Sequence, residues 1–158
     1  MRHAMALGIL ENNFCNQIES MDPINCPFEK TILSRRGNCE CADRFYIAER
    51  EGVGCEQLEA SNQCRALIAV LRENARFTLK IVGSAENLPH GQEMKVQCGG
   101  LLGLQALVES EELQEQVANI HSLAEELLAE YDEFESVPYG SVVKSMAAYE
   151  HRQRRSRR

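Results

Sequence analysis

Seven cysteines stand in a chain of 158 residues, and five of them fall between Cys26 and Cys64. Their spacing runs C-x10-C-x12-C-x-C-x13-C-x8-C-x33-C, from Cys15 through Cys26, Cys39, Cys41, Cys55 and Cys64 to Cys98. An odd number forbids complete intramolecular disulfide pairing. Structural zinc sites draw their ligands from C-x2-4-C or H-x3-5-H knuckles. Neither occurs, and His3, His90, His121 and His151 lie far apart. Iron–sulfur clusters need four soft thiolates and tolerate varied spacing, although the run matches neither common ferredoxin pattern. The expectation is therefore a [4Fe–4S] cluster bound by four of Cys26, Cys39, Cys41, Cys55, Cys64 and Cys98, with zinc as the alternative metal. A thiol redox switch at Cys39 and Cys41, a disulfide scaffold and plain buried thiols are the other readings. Cys15, isolated in a polar stretch, is incidental.

Local sequence gives each thiol a setting. Asn38 reads as the N-cap of a helix over 39–51, which would place Cys39 and Cys41 where unpaired N–H groups favour thiolate. Arg35, Arg36 and Arg44 add positive charge nearby in sequence. Gly52 and Gly54 let the chain curl towards Cys55. Gly99 and Gly100 follow Cys98 and could bring N–H groups close to cluster sulfides. Pro27 fixes the chain direction after Cys26.

The elements that must position these thiols read as helical throughout. The stripe Cys41, Phe45, Ala48 supports the 39–51 helix, and Cys64, Leu67, Ile68, Leu71, Ala75, Leu79 and Val82 predict a helix from Ser61 or Asn62 to about Val82. A short amphipathic piece around Ala4–Leu10 precedes them. Residues 83–91 form the clearest loop, with glycine at both ends and Pro89 inside. The following segment, 92–108, is interrupted by glycines. Leu113, Val117, Ile120, Ala124, Leu127 and Tyr131 make a heptad seam over 111–131, a packed bundle helix or, alternatively, a homodimer contact. A last helix covers 141–152. The expected fold class is thus all-α, a small helical bundle with a cysteine-rich N-terminal half. A single helical domain spans 1–152, cysteine-rich over 15–64 and acidic over 109–135, with a disordered arginine-rich tail at 153–158.

Charge and motifs narrow the function classes. Net charge is −7, and the terminal RQRRSRR holds five of the 17 basic residues against 24 acidic ones. Ten Asp or Glu and no Lys or Arg occur over 109–135. That surface repels nucleic acid and suits a basic protein partner. No Walker, Rossmann, HExxH or GxSxG pattern occurs, and Glu125, Glu126 and Glu130 lack the ExxH partner of a diiron site, so no enzyme activity is expected. The apolar run AMALGIL meets Glu11-Asn12-Asn13 without a small-residue cleavage pattern and is not expected to be a secretion signal. LLGLQALV is too short to cross a bilayer. The expectation is a cytoplasmic electron-transfer or redox- and iron-sensing protein. The alternative is a zinc- or thiol-stabilised interaction module.

Overall fold

The computed structural model describes residues 24–110 and 114–151. The expected amphipathic piece at 4–10, Cys15, Leu113 and the arginine tail lie outside the described residues.

The first departure from expectation is a β-hairpin. After helix α1 (Glu29–Leu33), strand β1 (Ala42–Ile47) pairs antiparallel with β2 (Arg50–Cys55), in a register running from Ala42 opposite Cys55 to Ile47 opposite Arg50. The expected helix over 39–51 does not form, and the all-α class gives way to a mixed fold: helices with one two-stranded sheet. Three apolar residues at i, i+4 and i+7 fit a short helix, but Arg-Phe-Tyr-Ile is a run of strand formers. The Phe45 ring lies over Gly52, where an added Cβ would sit 2.5 Å from Phe45 Cζ. The aromatic face fills the space a glycine leaves in a strand. Residue Ala48 makes the turn with a left-handed φ of 55°.

Helix α2 (Leu58–Ala75) begins three residues before the expected cap. Ala60, Cys64, Leu67, Ile68, Leu71 and Ala75 bury one face of it. The helix ends before Val82, since the chain turns at Lys80 (φ 52°) and leaves Phe77 and Val82 more than 90% exposed. A loop follows over 83–89, shorter than the expected 83–91 because His90 and Gly91 already belong to the next helix.

Glycines do not break the next segment. Helix α3 (His90–Met94) runs through a π-helical turn (Lys95–Gly99) into α4 (Gly100–Glu109). There the glycines face the last helix, α6 (Tyr139–Ala148). A Cβ at Gly99 would lie 2.8 Å from Met146 Cα, and one at Gly103 3.0 Å from Val142 Cα. Their small size lets two helix backbones approach closely, which outweighs their poor helix propensity.

The acidic half contributes helix α5 (Ile120–Tyr131), shorter than the expected 111–131. Ile120, Leu123, Ala124 and Leu127 turn into the protein's own core, and Val117 bridges Gly37 ahead of the helix. Helix α6 begins two residues before the expected start and ends at Ala148. One apolar core joins both halves: Phe28, Ile32, Leu67, Leu71, Leu101, Ile120, Leu127 and Met146 belong to the same buried cluster.

Candidate metal centre

Backbone pairing gathers the cysteines. Cys26 N–H donates to Val53 O at 3.1 Å, and Cys55 N–H donates to Ile24 O at 2.7 Å. These bonds dock the Cys26 segment along the outer edge of β2. Gln97 Nε2 holds the next carbonyl, Pro27 O, at 3.3 Å. Asn38 is not a helix cap: its N–H donates to Val117 O at 3.0 Å, and its carbonyl accepts from Ile120 N–H at 2.9 Å. That exchange ties the Cys39–Cys41 loop to the start of α5. Cys64 arrives on the buried face of α2.

The result is a shared pocket lined by Cys26, Cys39, Cys41, Cys55 and Cys64, with Pro27, Ala42, Gly54, Ala60, Ser61, Ile120 and His121 completing the wall. Five of the six sequence-expected ligands are therefore together, drawn from the segment before α1, the Cys39–Cys41 loop, the end of β2 and helix α2. The free space among them is about 10 Å³, at the threshold for one water molecule. The thiols face one another with almost no solvent between them.

Cys98 is placed elsewhere. It is fully buried, donates from Sγ to Thr31 Oγ1 at 3.6 Å, and does not line the thiol pocket. Gly99 and Gly100, expected to approach cluster sulfides, instead pack on Met146, Tyr149 and Leu71. The three arginines do not line the pocket either, and Arg44 pairs with Glu51 at 2.6 Å on the hairpin.

Electrostatics reverse the expected thiolate activation. Burial, then the neighbouring thiols, pushes Cys41 up to about 11 and Cys64 up to about 12. Cys26 is pushed up to about 11 by burial, with Cys39 and Cys55 adding to the rise and a backbone hydrogen bond at Phe28 opposing it. Cys39 does not open a helix of its own; the helix N-terminus that borders the pocket is that of α5, at Ile120 and His121. At neutral pH these three thiols are held protonated, and a metal would bind them by displacing the proton.

A histidine absent from the expected ligand set completes the site. His121 Nδ1 lies 2.9 Å from Glu40 Oε1, and its Nε2 lies 3.5 Å from Glu125 Oε1. The hydrogen bond with His121, then that with Asn119, holds the Glu40 carboxyl below its usual range. Glu40, Cys41 and His121 offer three donor atoms within 4.8 Å of one another, and among the described residues no other trio of metal-ligating side chains is so close. A tetrahedral zinc with Zn–S bonds of about 2.3 Å holds its sulfurs about 3.8 Å apart. Cys39 and Cys41 lie within hydrogen-bonding reach of one another, and Cys26, Cys55 and Cys64 line the same pocket. The sequence showed His121 only as one of four histidines far apart, without ligand spacing. Its proximity to Cys41, 80 positions away, depends on the Asn38–Val117 backbone exchange and has no local signature.

No protein-family model matches the chain, and no curated protein or solved structure matches it.

Proposed function

We propose that the protein binds an iron–sulfur cluster, a [4Fe–4S] centre, through four of Cys26, Cys39, Cys41, Cys55 and Cys64, and serves in electron transfer or in redox or iron sensing. The observation that carries this reading is the convergence of five thiols from separate segments on one pocket. The donor set fits the group: five soft sulfur ligands, one more than a cubane uses, and a wall of Ile120, Ala60 and Pro27 that limits solvent access. Cys26, Cys39 and Cys55 lie outside helices, so their sulfurs can separate to admit an inorganic core. When bound, such a centre supplies one-electron chemistry. The chain's own residues release thiol protons, exclude water and present the surface through which electrons pass.

That surface adjoins the pocket. The exposed Glu125, Glu126 and Glu130 lie on α5, whose first residues cover the thiols, and Asp132, Glu133 and Glu135 extend the charge. A basic protein partner would dock there. A reducing compartment, the cytoplasm, suits free thiols, and among the described residues no helix is long and apolar enough to cross a membrane.

The second reading, a zinc-stabilised interaction module, is favoured by the compact Glu40, Cys41 and His121 trio. Anaerobic reconstitution with iron and sulfide separates the two. The cluster reading expects a broad absorption near ~400 nm with about four iron and four sulfide per chain. A colourless protein retaining about one zinc per chain would replace it with the module.

A further inference from the structure

A second cavity shares the Cys26–Pro27 segment as part of its wall and has a different chemistry. Its volume is about 650 Å³, and Cys26 and Pro27 line both it and the thiol pocket. That size suits a small molecule. One wall is a face of α2 on which Arg65, Ala69, Arg72 and Arg76 follow at i, i+4, i+7 and i+11, a spacing that stacks them along the helix. The loop at 83–86 forms the other wall, and Ile68, Ala69, Ala85 and Pro27 supply apolar surface.

The central arginine is held in place before anything binds. Arg72 Nη2 donates to Glu93 Oε1 at 2.7 Å. Glu93 is 3% exposed and also accepts from Gln97 Nε2 at 2.6 Å. Arg72 Nε is buried without a partner, and Nη1 has no acceptor among the described residues. A guanidinium already fixed by Glu93 at the cavity wall loses little freedom on binding an anion. Arg76 is partly committed, to Glu73 at 3.3 Å and to Gly83 O at 3.0 Å, and Arg65 has no acceptor among the described residues. Three arginines line the cavity; Glu93 and Glu73 pair with Arg72 and Arg76, and Glu86 is the one acidic lining residue among those described, so the arginines are concentrated on the α2 wall of the cavity.

We propose that this cavity binds a small organic anion, with a phosphate or carboxylate head seated on Arg65, Arg72 and Arg76 and an apolar body against Ile68, Ala69 and Pro27. The site stands independently of what the thiols hold. Isothermal titration calorimetry of the full chain with phenyl phosphate, in low-chloride buffer, tests it. Saturable binding of one molecule per chain is expected, with no heat from phenol, which keeps the ring and lacks the anion. Removing both exposed guanidinium groups, Arg65→Ala with Arg76→Ala, weakens binding about 100-fold, roughly tenfold for each charge-assisted contact. Ala69→Leu fills the groove without touching its charge, keeps a helix-forming surface residue, and abolishes binding. Benzoate binding as tightly as phenyl phosphate assigns a carboxylate head; much weaker benzoate binding assigns a phosphate. Absence of saturable phenyl phosphate binding overturns the proposal. Unchanged affinity in either variant, with the fold confirmed by circular dichroism, does so as well.

Discussion

At the scale of single residues, the site is defined by which sulfurs face one another. A cubane uses four thiolates and the pocket offers five. Replacing Cys26, Cys39, Cys41, Cys55 and Cys64 singly with serine therefore lowers the iron content of reconstituted protein to less than half at four positions and leaves it near the wild-type level at the fifth. Cys98→Ser leaves it unchanged, because that thiol bonds to Thr31 outside the pocket. Iron loss in the Cys98 variant with a native circular dichroism spectrum would contradict this assignment.

The same thiols set a pH dependence for the metal-free protein. Cys26 and Cys41 are pushed up to about 11, and Cys64 to about 12. An unfolded cysteine titrates near ~8.5. A group whose pKa is raised on folding contributes stability below its unfolded value and loses that contribution as pH rises towards the folded one. Metal-free stability accordingly declines as the pH climbs from about 9 to about 11. The urea midpoint measured across that range should fall, and Cys64→Ala should make the fall shallower. Metal affinity moves the opposite way and strengthens with pH, since binding displaces thiol protons.

At the scale of elements, the hairpin controls the pocket. Its open end sets Ala42 opposite Cys55 on the pocket wall, and its packing depends on Phe45 covering Gly52. Gly52→Ala would drive a methyl group into that ring and cost about 1–3 kcal/mol, with loss of iron retention. Ala48→Gly relieves the left-handed turn and stabilises by up to about 1 kcal/mol. Chemical denaturation checks both changes. An unaltered midpoint for Gly52→Ala would mean that the hairpin does not carry the site.

The hairpin also marks what could be read beforehand. Long apolar stripes were legible: Cys64, Leu67, Ile68, Leu71 and Ala75 form the buried face of α2 because a helix of that length imposes its period on the sequence. Cys41, Phe45 and Ala48 offered too few positions to distinguish a helix from a strand. Gly99 and Gly103 read as breakers because their benefit, contact with α6, is non-local. The clustered cysteines were legible from composition alone, and the fold brings five together. Cys98 and His121 were not, since the backbone exchange between residues 36–38 and 117–120 decides His121's position.

At the scale of the whole molecule, one core and one site join the two halves of the chain. Hairpin, α2 and α5 all border the thiol pocket, and their apolar residues share a single buried cluster. A metal that binds only the folded chain raises its stability by mass action. The loaded protein should melt in one transition at a higher temperature than the metal-free form, and removal of the metal should lower that transition without splitting it. Two separate transitions in calorimetry would show that the halves fold independently. The proposed docking of a basic partner on the acidic exterior predicts salt sensitivity: affinity should fall as ionic strength rises past ~0.15 M, where charges more than about 8 Å apart are screened.

The most direct test of the central claim is X-ray absorption at the iron edge of the anaerobically reconstituted 158-residue chain. Sulfur-only first-shell scattering accompanied by an iron–iron shell is the predicted result. A single iron with nitrogen or oxygen neighbours and no iron–iron shell, or protein that retains no iron, would contradict it.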